Sequence, residues 1–254
     1  MTAPLVLVET ADGIATITLN RPTVRNALSA QLCRELRAVA EAADRDEDVD
    51  AIVLTGADPA FCAGLDLREY ERLGRAPEGT SETILSIGEL ATPVIGAING
   101  AATTGGLELA LGCDFLVASE RASFADTHTR VGLLPGGGMS VRLPQAVGLR
   151  RAREMSFTGN FVDAMEAQRL GLVHHVVPHP DLLATAHRLA TAVASNQQTH
   201  VAAMKELYRR GSRLPFGEAF DLELELAAQR RRHGGIRVER AAVVERGRRQ
   251  VGCS

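Results

Sequence analysis

Lysine is nearly missing from this sequence: Lys205 is the single one, and arginine supplies the rest of the 28 basic residues. Against 31 acidic residues the formal charge is −3, which gives no sign of a nucleic-acid or polyanion binder, for which a strongly basic face is expected. Apolar runs of about 18 residues are missing too, so no membrane-spanning helix is expected. Cysteine is sparse, and Cys33, Cys62, Cys113 and Cys253 stand far apart with no CxxC pairing. A chain this large needs no disulfide staples, so reduced thiols in a cytoplasm are expected. The N-terminal stretch has neither the basic start nor the long apolar core of a signal peptide. What is present suits a cytoplasmic globular protein: 45% apolar residues for a core and 23% charged residues for its surface, over 254 residues.

Local pattern points to an α/β fold. Leu5 to Glu9 and Ile14 to Leu19 are β-rich runs around Asp12-Gly13, a hairpin signal. From Ser29, the apolar positions Leu32, Leu36, Val39 and Ala43 recur at helical spacing. Strands are then predicted at Ala51 to Thr55, Val94 to Ile98 and Phe115 to Ala118, alternating with helices near Ser81, Gly105 and Gly138. That alternation predicts largely parallel pairing. Beyond Gly148 the pattern turns helical, with helices at Ala164 to Leu170, Asp181 to Ser195 and Thr199 to Arg210. Phe220, Leu222, Leu224 and Leu226 alternate as in a strand, but the Glu and Ala content there predicts helix. The expected organisation is an α/β core over 1–195 with a helical section over 196–254, the latter suited to subunit contacts.

Four stretches carry chemistry: Ala60 to Leu67, Asn99 to Ala110, Cys113-Asp114 with Ser123 to Asp126, and Val131 to Gly138. In this order and spacing, with Asn20-Arg21-Pro22 and Asn26-Ala27-Leu28 ahead of them, the chain resembles the enoyl-CoA hydratase/isomerase (crotonase) family over residues 5–210. The resemblance implies a superhelix of repeated strand–strand–helix units and an acyl-CoA thioester as substrate. It also implies homotrimers or dimers of trimers, with neither nucleic acid nor membrane as partner. No metal or redox cofactor is implied, coenzyme A being part of the substrate.

The residues support that chemistry. Gly105 and Gly106 open a helix, so their N–H groups have no intrahelical acceptor, and a helix N-terminus carries partial positive charge. By resemblance, Gly105 and Leu65 donate the two N–H groups of an oxyanion hole for a thioester enolate. Loss of one such donor typically costs about 10²–10³ in rate. Glu108, three residues beyond Gly105, matches the first of two catalytic glutamates, which helps activate water. Where the family places its second glutamate, twenty residues on, this chain has His128, a side chain able to act as acid or base near neutrality. Gly136 matches a position whose backbone borders the catalytic water. The run Gly136-Gly137-Gly138 lacks both GK[ST] and GxGxxG, so it is not a nucleotide loop of those kinds.

For the coenzyme, the resemblance implies backbone contacts from the Ala63 to Asp66 loop. It places Arg25, Arg68 and Arg246 near the phosphates, where basic side chains are useful. His174-His175 lacks a metal-ligand partner at suitable spacing and reads as structural. The reaction expected is addition of water to a trans-2-enoyl-CoA, giving a 3-hydroxyacyl-CoA. Other reactions on the same enolate hole (isomerisation, lysis, thioester hydrolysis) and a catalytically silent acyl-CoA binder stand as alternatives, because the acid/base pair departs from two glutamates.

Overall fold

A computed structural model describes residues 3–233 and residue 244. The chain divides into two compact units, 1–202 and 203–254. In the first, β1 (Val6–Ala11) and β2 (Ile14–Leu19) form the hairpin, and α1 (Ala30–Arg45) follows. Then come β3 (Ala51–Gly56), β4 (Ala60–Cys62), α2 (Leu67–Leu73) and α3 (Thr80–Ile87). The next turn is β5 (Val94–Ile98), β6 (Ala101–Thr103) and α4 (Gly105–Gly112). A third holds β7 (Phe115–Ser119), β8 (Ser123–Ala125), α5 (Met139–Val147) and α6 (Leu149–Thr158). The unit continues through β9 (Val162–Asp163), α7 (Ala164–Arg169), β10 (His175–Val177) and α8 (Leu182–Ala194) into α9 (Gln198–Gly211), within which the division between units falls. The second unit contains α10 (Phe216–His233), where Leu, Glu and Ala run helical despite the alternating apolar positions.

The repeat is strand, strand, helix. The first strand of each turn joins a six-stranded sheet of order β1-β2-β3-β5-β7-β10, parallel except for the β1–β2 hairpin. The second joins a four-stranded sheet, β4-β6-β8-β9, in which only the β8–β9 pairing is antiparallel. Both faces of the large sheet are covered, which is why its central strands read as continuous apolar runs. On β3, Ile52 and Leu54 face one cluster with Leu32 and Leu36 of α1 and Ile84 and Ile87 of α3. Ala51 and Val53 face the opposite cluster, closed by Leu182, Ala186 and Ala190 of α8. Those three recur every four residues, one stripe of a helix with small side chains that let it lie close on the sheet.

The sequence reading gave no place to the three-residue strands β4, β6 and β8, nor to α2 and α6. Three residues are too few to display a period, and their pairing partners come from the neighbouring turn of the chain. Helix α2 is held at its start by Asp66, whose carboxylate accepts the Glu69 N–H at 3.2 Å. Helix α6 follows Gly148 and is rich in arginine, which blurs its apolar stripe.

Candidate active site

Two segments from successive repeats meet where the second strand of each turns into a helix. Leaving β4, the chain passes Gly64 at φ +87°, a conformation that favours glycine. The Gly64 carbonyl accepts the Leu28 N–H at 2.7 Å, and the Asp66 N–H donates to the Leu28 carbonyl at 3.0 Å. This short parallel bridge, Leu28 to Leu65, flanks Leu65 and leaves its own N–H with no acceptor among the described residues. Leaving β6, Thr104 sits at φ 56°, ψ −113°, a strained conformation for a β-branched residue. Its hydroxyl is hydrogen-bonded to that of Thr127, and its N–H donates to the Ala125 carbonyl. The turn releases Gly105 as the first residue of α4, and its N–H likewise has no acceptor among the described residues.

The two segments touch. A Cβ added to Gly64 would lie 3.1 Å from the Gly105 nitrogen, and one added to Gly106 would lie 2.0 Å from the Cys62 carbonyl oxygen. Only a residue without a side chain allows α4 to approach β4 so closely. Two unpaired N–H groups beside a helix N-terminus can hold an oxygen on which negative charge develops.

One turn into α4, Glu108 is 3% exposed. Its Oε1 accepts the N–H groups of Gly137 at 2.7 Å and Met139 at 3.1 Å, where the chain enters α5. Its Oε2 lies 3.9 Å from Nε2 of His128, which begins a 3₁₀ turn (His128–Val131) and is also buried. On the far side of the ring, Nδ1 of His128 is 2.7 Å from Oδ1 of Asp126. Burial pushes the Asp126 carboxyl up, but hydrogen bonds from His128 and Ser156 outweigh it and hold the group below the usual carboxylate value. Beside this row opens a cavity of about 300 Å³, walled by His128, Leu133, Met139, Leu143 and Phe157 among others.

The remaining predicted residues lie around this centre. Gly136 is exposed, and the N–H groups that grip Glu108 belong to its neighbours Gly137 and Met139. Ala63 donates its N–H to the Arg25 carbonyl at 2.9 Å, which ties the Arg25 turn to the loop that presents Leu65. Arg25 and Arg68 are both exposed. Asp66 caps α2 and pairs with Arg21 at 2.9 Å, so its carboxylate is occupied by the fold. Burial raises the Asp66 pKa, yet Arg21 and the N–H groups of Glu69 and Arg68 bring it below the ordinary value. Arg246 lies outside the described residues. Sequence reasoning quoted Asp126 as the end of the Ser123 to Asp126 stretch but gave it no role, although its place two residues before His128 was a usable signal. It also missed Gly137 and Met139, whose N–H groups only the fold brings to Glu108.

Two other histidines are accounted for by structure. His174 accepts the Leu116 N–H on Nδ1 at 3.2 Å and packs edge-on against Phe115. His179 bridges Ser119 and Asp58 at 3.0 Å each, a Ser–His–Asp row. Ser119 in that row is fully buried, so its hydroxyl cannot meet a substrate.

Comparison with known proteins identifies the family and the fold. Residues 9–250 match the family model described as enoyl-CoA hydratase/isomerase. A probable peroxisomal enoyl-CoA hydratase of Arabidopsis thaliana is 40% identical over 219 residues, 85% of this chain and 83% of that protein. The solved enoyl-CoA hydratase of Mycobacterium smegmatis is 50% identical, with a TM-score of 0.75 over 91% of this chain and all of that one. That of Bacillus anthracis, 34% identical, superposes with a TM-score of 0.88 over 96% of each chain. The chain therefore belongs to the enoyl-CoA hydratase/isomerase family and has its fold.

Proposed function

We propose that this protein adds water to trans-2-enoyl-CoA thioesters to give 3-hydroxyacyl-CoA, with His128 in the role of the family's second glutamate. The observation that carries this reading is the 3.9 Å separation of Glu108 Oε2 and His128 Nε2. That gap is too long for a direct hydrogen bond, but one water can bridge it at roughly 2.8 Å from each atom.

In this reading the thioester carbonyl accepts the Leu65 and Gly105 N–H groups in an oxyanion hole. Glu108 takes a proton from the water as its oxygen bonds to Cβ. The π electrons move toward the thioester, and the charge gathers on the oxygen held by the two N–H groups. Glu108 passes that proton across the gap to the Nε2 lone pair of His128, which delivers it to Cα as the carbonyl re-forms. Water has been added, and Glu108 ends ionised and His128 neutral, as they began. The steps need no metal and no redox cofactor.

The apolar cavity beside His128 suits the acyl tail. A volume near 300 Å³ is at the low end for small-ligand pockets, which fits a short or medium chain. Arg25 and Arg68, with Arg246, would meet the coenzyme's phosphates, while backbone groups from Ala63 to Asp66 meet its adenine end and Gly136 borders the water. For the assembly we propose a homotrimer or a dimer of trimers. The exposed Tyr208, Phe216 and Phe220 of the second unit support a role in contacts between subunits. A cytoplasmic location is supported by the reduced, buried thiols of Cys33 and Cys62. None of the described helices is long and apolar enough to cross a membrane.

The test is incubation of pure protein with trans-2-enoyl-CoA esters of increasing length, following loss of the conjugated thioester absorbance. Loss with appearance of 3-hydroxyacyl-CoA is expected. Acyl-CoA binding without turnover would instead identify a silent binder. Light scattering of the same sample is expected to give the mass of three or six chains, and a monomer would refute the assembly.

A further inference from the structure

We infer that Asp126 is a positioning residue that fixes the His128 ring in one tautomer, with the proton on Nδ1 and the lone pair of Nε2 facing Glu108. This rests on the reading of His128 as the group that serves Cα. Nothing in the motifs of the sequence assigned Asp126 a role.

Three observations place it there. Asp126 Oδ1 is 2.7 Å from His128 Nδ1 and also accepts the backbone N–H of His128 at 3.2 Å, so ring and main chain are held by one oxygen. Asp126 is buried at 3% exposure, so packing keeps the carboxylate from turning away. The opposite ring nitrogen is the one 3.9 Å from Glu108. An ionised carboxylate can only accept, so the 2.7 Å contact requires a proton on Nδ1.

The consequence concerns the gap. With Nδ1 protonated, neutral His128 presents a lone pair toward Glu108, and two acceptors facing each other stay apart. A water between them has an acceptor for each of its protons. Without Asp126, the ring is free to carry its proton on Nε2, which would then donate directly to Glu108 Oε2. That bond would close the gap and occupy the place of the water. Asp126 thus keeps the base and the acid of the site from pairing with each other.

The test uses the full-length protein, labelled with ¹⁵N-histidine, and long-range ¹H–¹⁵N correlation spectra. His128 is assigned from the signals lost in His128→Asn. In the unaltered protein, at a pH where the ring is neutral, the Nδ1–H tautomer is expected. In Asp126→Asn the Nε2–H form should appear. Turnover of trans-2-enoyl-CoA should then fall on the order of 10²–10⁴-fold in kcat with KM within about threefold, as for the loss of an oriented histidine. In a His128→Glu background, where no ring needs orienting, adding Asp126→Asn should cost less than about a tenth as much. An Nε2–H tautomer in the unaltered protein would overturn the inference, whether or not the protein hydrates anything. So would unchanged kcat in Asp126→Asn of an active enzyme, which would leave the hydration reading standing. Should Asp126→Asn fail to fold, the tautomer in the unaltered protein decides alone.

Discussion

Replacing Glu108 by glutamine separates the fold from the chemistry at a single atom. The Glu108 Oε1 holds the N–H groups of Gly137 and Met139 at 2.7 and 3.1 Å, and a glutamine carbonyl oxygen in the same place keeps both bonds. The amide nitrogen then lies where Oε2 was, 3.9 Å from His128, and it cannot accept the proton of a water. Hydrogen bonds to a charged group are worth about 1.5–3 kcal/mol and neutral ones about 0.5–1.5, so the two bonds weaken by about 1 kcal/mol each. Relief from burying a charge works against that loss, and the net change in stability should be within about 2 kcal/mol. The rate is another matter: loss of a positioned general base costs about 10²–10⁴-fold, or roughly 3–5 kcal/mol of barrier. Paired measurements of melting temperature and of enoyl-thioester absorbance loss at saturating substrate should show a folded, nearly inert protein. A folded Glu108→Gln that turns over within about threefold of the original would refute the reasoning.

Three further outcomes are expected. Gly106→Ala places a Cβ 2.0 Å from the Cys62 carbonyl and must push α4 from β4; its kcat should fall about 10²-fold or more along with its melting temperature, and an unchanged enzyme would refute that contact as what sets the two N–H groups. His128→Ala should lose about 10²–10⁴ in kcat while His128→Glu retains turnover, because a carboxyl group can serve the same proton; rates for the two variants with one substrate check this. Burial pushes the Cys62 thiol from its ordinary 9.0 up to about 12. Since the folded value lies above the unfolded one, this preference for the neutral thiol is fully present below pH 9 and is lost as the pH rises toward 12. Melting temperatures should therefore decline through that window, and Cys62 should resist alkylation at pH 8 until the protein unfolds, as read by mass spectrometry.

Legibility in the sequence followed the length of each element and the locality of its partners. The apolar run of β3, the Asp12-Gly13 hairpin and the amphipathic stripe of α1 all declare themselves within a few residues. Strands β4, β6 and β8 do not, because each is defined by pairing with the next turn of the chain. Helix α2 had a signal in Asp66 and Glu69, a capping pair three residues apart, that apolar periodicity alone does not read. At the site, Gly105, Glu108 and His128 were visible as motif positions. What the motif could not supply was the environment of each group. That Gly137 and Met139 clamp one oxygen of Glu108, and that Asp126 holds the far side of His128, depends on α5 and the 3₁₀ turn being folded against α4.

The central claim is that water is added across the double bond of a thioester that stays intact. Turnover of a trans-2-enoyl-CoA in H₂¹⁸O, followed by mass spectrometry of the product, tests it most directly. The account predicts one ¹⁸O on C3 of a 3-hydroxyacyl group still joined to coenzyme A. Label in a released carboxylate, or a product that carries none, would contradict it.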